Sequence, residues 1–183
     1  LRGARRMALA QAEARWDNFH PRFTAAERRV GIMGLGNLGG TAARMLRALG
    51  FPVAGWSRTR KDLPGVESFA GVEELGAFLA RTDILVCLLP STPETRGLID
   101  ARVLSLLPRG AQVVNVGRGS HLAVPDLLAA LDSGHLDGAL LDVFEPEPLA
   151  SDSPLWSHPK VIVTPHLASL ASLRERARYI AEA

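Results

Sequence analysis

Apolar and polar positions change period several times along the chain. From Leu1 to Trp16 the apolar residues Leu1, Ala4, Ala8, Leu9, Ala12 and Trp16 recur at helical spacing and predict an opening helix. A polar, proline-containing connector follows from Asp17 to Glu27. Short apolar runs then alternate with helical segments. The runs are Val30–Met33, Val53–Trp56, Ile84–Leu88, Gln112–Val116, Ala139–Val143 and Val161–Val163. Leu38, Ala42, Met45, Leu46 and Leu49 form an apolar helical stripe, the face expected to meet the core, with Gly50 closing the helix. Val72, Leu75, Phe78 and Leu79 form a second stripe. Pro125 and Gly134 bracket a third helix, with Leu127, Leu128 and Leu131 inward. A last helix is expected from about Ser169 to the end.

The short runs lack in/out alternation, as strands buried on both faces do, and such strands belong to parallel sheets covered by helices. The expected fold is therefore an α/β, doubly wound parallel sheet of the Rossmann kind. In such sheets ligands bind beyond the carboxyl ends of the strands, so the residues after each run carry the functional reading.

Composition narrows the class. A length of 183 residues suits one domain with a small appendage: a helical arm and linker over 1–24, and a dinucleotide-binding domain over 25–183. Charged residues at 22% and hydrophobic residues at 47% exclude a disordered chain. The most apolar run, Ile84–Pro90, is far short of the ~20 residues a spanning helix needs, so no membrane partner is expected. The formal charge of +2 gives no argument for nucleic acid. One cysteine, Cys87, excludes a disulfide framework and fits a reducing compartment; it lies inside an apolar run and reads as core. The first residue is Leu and no signal-peptide pattern follows, so the chain is expected to be a piece of a longer cytoplasmic protein.

The first run ends in Gly34-Leu35-Gly36-Asn37-Leu38-Gly39, a G-x-G-x-x-G between a strand and a helix. Gly34 permits the tight turn, Gly36 lets a pyrophosphate approach the backbone, and Gly39 allows close helix–strand packing. The helix N-terminus offers free N–H groups to the phosphates. An NAD site usually places an acid ~20 residues on, at the end of the second strand. Here Trp56 is followed by Ser57, Arg58, Thr59, Arg60 and Lys61, with Asp62 only afterwards. A carboxylate would repel a 2′-phosphate, whereas arginine grips one bidentately, so NADP(H) is favoured and NAD(H) remains open. The plainer alternative is a solvated basic loop.

Other strand ends add chemistry. Leu89 and Pro90 follow Ile84–Leu88 and are placed beside the cofactor, while Ser91 with Glu94 reads as a capping box. Asn115, Val116, Gly117, Arg118 and Gly119 follow in order, with glycines flanking the arginine so that the backbone can pass close to a ligand. The next run ends in Asp142 and continues to Glu145-Pro146-Glu147-Pro148, and the last ends in Thr164-Pro165-His166. A cation to bind an anionic substrate, an imidazole acid and a carboxylate to hold it are the groups a carbonyl reduction needs. Arg118, Glu147 and His166 are the catalytic candidates. His20, His121, His135 and His158 read as satisfied or exposed histidines. No cluster has metal-ligand spacing, so no metal site is expected.

These motifs, with Ser91–Thr95 followed by Arg96-Gly97-Leu98-Ile99, resemble the D-isomer-specific 2-hydroxyacid dehydrogenases from about Arg29 to Ser172. Within that family, Trp56–Lys61 and Pro64-Gly65-Val66 resemble the A-type bacterial glyoxylate/hydroxypyruvate reductases. The resemblance implies that Arg118 binds the substrate's carboxylate and carbonyl, that His166 is the acid/base and Glu147 its partner. It implies that Asp142 contacts the nicotinamide carboxamide. It also implies a homodimer through the cofactor domain, with Trp16 in the dimer arm. Family chains carry a substrate domain before the first helix and a closing C-terminal segment, both of which this sequence is expected to lack.

The leading functional reading is an NADPH-dependent reductase of a small 2-ketoacid such as glyoxylate or hydroxypyruvate. Its rival is a non-enzymatic dinucleotide sensor that binds partner proteins. A methyltransferase fits poorly, since it would want an acid after the second strand and leaves Arg118 and His166 idle.

Overall fold

The structure is a computed structural model that describes residues 3–18 and 23–168. Its elements, in chain order, are α1 (Ala4–Ala12), β1 (Val30–Met33), α2 (Asn37–Ala48), β2 (Val53–Ser57), β3 (Glu67–Ala70), α3 (Leu75–Ala80), β4 (Ile84–Cys87), α4 (Ala101–Ser105), β5 (Ala111–Asn115), α5 (Val124–Asp132), β6 (Leu136–Leu141) and β7 (Val161–Val163). The strands form one sheet in the order β3-β2-β1-β4-β5-β6-β7. Every pairing is parallel. The chain moves outward from β1 to β3, then returns to the other side of β1 and continues outward. The order therefore reverses between β1 and β4, and a crevice opens beyond their carboxyl ends. Register brings these ends level: Met33 lies between Trp56 and Cys87.

Two apolar layers hold the sheet. Val30, Ile32, Val53 and Val66 pack with Ala43 of α2. On the other side Met33, Leu85, Val113 and Leu141 pack with Phe78, Leu79, Val103, Leu104, Leu127 and Leu131. Each fully buried side chain of this size stabilises the fold by roughly 1.5–3 kcal/mol. The first strands are buried throughout, but β4 and β5 alternate buried and half-buried positions. For those two, continuous burial on both faces was too strong an expectation.

The face of α2 departs from its expected orientation. Leu38, Met45 and Leu49 are 64%, 65% and 69% exposed, while Gly39, Gly40 and Ala43 are buried. Ala42 and Leu46 do pack inward. Small residues face the sheet because the helix must approach β1 closely: a Cβ at Gly39 would fall inside contact distance of the Gly34 carbonyl oxygen. Val72 is likewise exposed, in the turn before α3, whereas Leu75, Phe78 and Leu79 are buried.

Smaller differences have local causes. The opening helix covers Ala4–Ala12, and Trp16 beyond it is 89% exposed. Leu1, His20 and the expected last helix from Ser169 lie outside the described residues. β3 was not foreseen, because its sequence Glu67-Ser68-Phe69-Ala70 is half polar and it lies at the sheet edge. α4 was not foreseen either. It is five residues long and starts where Asp100 accepts the Val103 N–H. β6 spans Leu136–Leu141, displaced from the expected Ala139–Val143. The short helical turn after β4 is capped by Thr92 and Thr95, not by Ser91 and Glu94: the Thr92 N–H donates to Thr95 Oγ1 at 2.9 Å. Among the described residues no helix is long and apolar enough to cross a membrane.

Candidate active site

The glycine loop closes the β1/β4 crevice from one side. Gly34 has φ of +100°, which glycine alone adopts freely, and a Cβ there would press on the Leu88 carbonyl. Gly36 is the N-cap of α2 and has no side chain to satisfy the first-turn N–H groups. A Cβ at Gly36 would meet nothing within 4 Å. This is the open approach and free helix N-terminus that a pyrophosphate requires, so the loop with Asn37 and Leu38 fits a dinucleotide.

The basic loop after β2 is sorted by its hydrogen bonds. Ser57 Oγ donates to the Thr59 carbonyl at 2.7 Å. Arg60 donates to the Ser68 carbonyl and pairs with Glu74 at 2.5 Å, and Glu74 in turn accepts the Ala70 N–H. The Arg60 guanidinium is thus occupied in fastening the loop to β3 and α3. The side chains of Arg58 and Lys61 make no hydrogen bond or salt bridge among the described residues. Arg58 contributes to holding Glu94 below its ordinary pKa, behind the larger effect of the Thr92 hydroxyl.

The turn after β5 is built on Asn115. Its Oδ1 accepts the Gly117 N–H at 3.2 Å and its Nδ2 donates to the Arg118 carbonyl at 3.0 Å. Gly119 touches the Phe144 backbone so closely that a Cβ would overlap it, which presses this turn against the segment after β6.

That segment and the one after β7 hold a carboxylate–imidazole pair. Glu147 Oε2 lies 2.9 Å from His166 Nδ1, and Glu147 Oε1 accepts the Phe144 N–H at 2.9 Å. The His166 side chain lowers the Glu147 pKa first, and the Phe144 N–H second, with Arg118 contributing at longer range. Glu145 instead pairs bidentately with Arg96, at 2.7 Å for each bond. His166 has φ of +54°, an uncommon backbone for a residue with a side chain. Its loop is held by Asp142, which is 2% exposed. Asp142 Oδ1 accepts from Thr164 Oγ1 at 2.5 Å and from the Leu167 N–H at 2.8 Å, and Oδ2 accepts the Ala168 N–H at 2.9 Å. The His166 N–H donates to the Asp142 carbonyl at 2.8 Å. Burial opposes the charge on Asp142, but the Thr164 hydroxyl and the two N–H groups outweigh it and lower its pKa.

The structure thus brings Arg118, Glu147 and His166 to one edge, beside Asp142 and the turns carrying Leu89, Pro90, Val116 and Gly117. It gives separate duties to Arg60, and it adds Thr164 and the Arg96–Glu145 pair, which sequence reasoning had not singled out. Thr164 could have been found as the hydroxyl two residues before His166. Cys87 is buried, and burial pushes its thiol up to about 11, which keeps it protonated and unreactive. His135 and His158 bond to the Leu104 carbonyl and to Asp132. Among the described residues no group of three His, Cys, Asp or Glu could hold a metal ion. A separate, mostly apolar cleft of about 510 Å³ lies beside Gly119, between Leu122, Phe144, Pro146, Leu149 and Leu155.

A doubly wound parallel sheet with a G-x-G-x-x-G loop at the N-terminus of α2 defines a domain of the Rossmann class. The chain belongs to the D-isomer specific 2-hydroxyacid dehydrogenase family: residues 1–168 match the model of that family's NAD binding domain. It is 54% identical over 160 residues to the glyoxylate/hydroxypyruvate reductase A of Salmonella newport (strain SL254), covering 87% of this chain and 51% of that protein. The chain spans about half the length of the curated relatives it matches. A D-isomer specific 2-hydroxyacid dehydrogenase from Xanthobacter autotrophicus Py2, solved with NADPH and MES, superposes with a TM-score of 0.91 at 54% identity, covering 99% of this chain and 74% of that one. An NADPH-dependent glyoxylate/hydroxypyruvate reductase from Sinorhizobium meliloti, solved with NADP and sulfate, gives 0.90 at 43% identity, covering 100% of this chain and 58% of that one.

Proposed function

We propose that this chain is the cofactor-binding and proton-transfer part of an NADPH-dependent reductase of small 2-ketoacids such as glyoxylate or hydroxypyruvate. The observation that carries the proposal is the Glu147–His166 pair, held on the Asp142 loop at the same sheet edge as the free N-terminus of α2. The names of the relatives support the same substrate class.

When bound, a reduced nicotinamide dinucleotide supplies the hydride. Gly34, Gly36 and Gly39, with Asn37 and Leu38, hold the pyrophosphate. Arg58 and Lys61 would receive the 2′-phosphate, while Ser57 and Arg60 keep their loop in place. Leu89, Pro90, Val116 and Gly117 line the crevice. Arg118 binds the substrate carboxylate and draws electron density from the carbonyl. Glu147 holds Nδ1 of His166, so Nε2 is the nitrogen that gives its proton to the developing alkoxide. Asp142 fixes the His166 loop and is the residue that would contact the nicotinamide carboxamide.

The proposal extends to a homodimer through this domain, with the arm of residues 1–24 and Trp16 reaching a second copy, and to the cytoplasm as the reducing compartment. The test is NADPH oxidation, followed by absorbance, when glyoxylate is added to the full-length protein. Turnover that is lost in His166→Gln while NADPH still binds supports the proposal. Tight NADPH binding with no turnover on any small 2-ketoacid would replace it with a dinucleotide-sensing role.

A further inference from the structure

Arg118 sits on a turn of glycines, yet its backbone does not move freely. His121 is the third residue of the short turn Gly119–His121 that Arg118 caps, and its ring reaches back over that turn. His121 Nδ1 accepts the Arg118 N–H at 3.2 Å. His121 Nε2 lies 3.1 Å from the Pro90 carbonyl oxygen, which can only accept, so Nε2 carries the proton. The Cys87 thiol, 3.4 Å from Nδ1, donates to the same lone pair. The ring is fully buried and packs under Gly117, where a Cβ would stand 3.1 Å from Nδ1. One imidazole therefore joins the ends of β4 and β5, the Pro90 side and the Arg118 side. Asn115 holds the Arg118 carbonyl from below, so the Arg118 peptide is pinned at both ends.

We propose that His121 is a positioning residue for substrate binding: as the Nε2–H tautomer it fixes the Arg118 peptide against the Pro90 turn and sets where the guanidinium is presented. This deepens the reductase reading and rests on it for the role of Arg118. The ring must stay neutral, because a proton on Nδ1 would face the Arg118 N–H. The groups that face it favour that state. Burial lowers the His121 pKa, the Pro90 bond opposes this, and the Arg118 charge lowers it further. The thiol of Cys87 is uncharged.

Two substitutions separate the two ring nitrogens. In His121→Asn the amide oxygen falls where Nδ1 was and still accepts the Arg118 N–H. The Pro90 carbonyl is not orphaned there, since Thr95 Oγ1 also donates to it at 2.8 Å. In His121→Gln the amide nitrogen falls near Nε2, and the Arg118 N–H loses its acceptor. In the full-length protein we expect His121→Gln to raise KM for the ketoacid about tenfold, as loss of one positioning hydrogen bond does. NADPH affinity should stay within about twofold, and His121→Asn should recover most of the ketoacid KM. Equal KM values in the two variants, or parallel losses of NADPH and ketoacid binding, would overturn the positioning role. Nitrogen-15 imidazole shifts of the unsubstituted protein test it without turnover or any variant. They should show the proton of His121 on Nε2 and none on Nδ1, and a proton on Nδ1 overturns the proposal even if the reductase reading stands. Should no ketoacid be reduced at all, the tautomer and slow exchange of the Arg118 amide still decide whether His121 holds that peptide.

Discussion

Glu147 contacts His166 with one oxygen and the backbone of its own turn with the other. Oε2 meets His166 Nδ1 at 2.9 Å while Oε1 takes the Phe144 N–H at 2.9 Å. The second bond is what makes the first directional, because a carboxylate held at both ends cannot swing away from the ring. Glu145, two residues earlier, is turned toward Arg96 and leaves the imidazole to Glu147 alone.

The pair predicts a loss of turnover. Glu147 holds His166 at Nδ1 and is itself held by the Phe144 N–H. Glu147→Gln keeps a side chain of the same length but removes the carboxylate, and should lower kcat for the ketoacid about tenfold or more while NADPH affinity stays within about twofold. Steady-state kinetics with a cofactor titration check it, and an unchanged kcat in the variant rejects the pairing.

The proposed 2′-phosphate site uses Arg58 and Lys61, the cations of the β2 loop whose side chains remain available among the described residues. Removing one charge-assisted contact of ~1.5–3 kcal/mol should cost roughly tenfold or more in NADPH affinity. Arg58→Ala should therefore weaken NADPH and leave NADH nearly unchanged. Arg60→Ala should act differently. It loosens the loop from Glu74 and Ser68 and should weaken NADPH less than Arg58→Ala does. Calorimetric titration of both cofactors against both variants reads the difference, and equal losses from the two arginines would contradict the geometry.

Some of this was legible in the residues and some was not. The glycine loop was, because each glycine answers a local demand: the turn at Gly34, the open approach at Gly36, the close packing at Gly39. The strand ends were legible because β1, β4 and β5 are short and strongly apolar. The face of α2 was not. Periodicity sends leucines inward, and here the close approach at Gly39 turns the helix so that Gly39, Gly40 and Ala43 take the buried positions, with Ala42 and Leu46 partly buried beside them. β3 was hidden because an edge strand with Glu67 and Ser68 carries little apolar signal. The fate of Arg60 depends on Glu74, fourteen residues away, and local sequence does not reveal such a pairing.

Gly119 offers a steric test. A Cβ there would overlap the Phe144 backbone, and backbone cannot rotate away as a side chain can. Gly119→Ala should force apart the turns that carry Arg118 and Glu147, destabilising the protein by roughly 1–3 kcal/mol. Thermal unfolding reads the stability loss, and a variant as stable as the parent would show that the two turns are not in contact.

The His166 loop depends on a buried charge, and its pH dependence follows from that. Asp142 accepts three hydrogen bonds, from Thr164, Leu167 and Ala168, and they hold its carboxyl below the usual carboxylate range. A group whose pKa is lower in the folded protein than in the unfolded chain adds stability above its unfolded value. That stability is lost as pH falls through the folded value. The Asp142 contribution is thus fully present at neutral pH and disappears only in acid, below about 3.9. Asp142→Asn removes the charge at every pH and turns an amide NH₂ toward one of the N–H donors. It should cost about 1–3 kcal/mol at neutral pH, the penalty for a buried donor left without an acceptor, and should flatten the acid side of the stability curve. Denaturant unfolding of parent and variant from neutral pH down to pH 3 measures both effects. Parallel curves at all pH values would mean that the carboxylate's charge does not hold the loop, and that Thr164 and the backbone keep His166 in place without it.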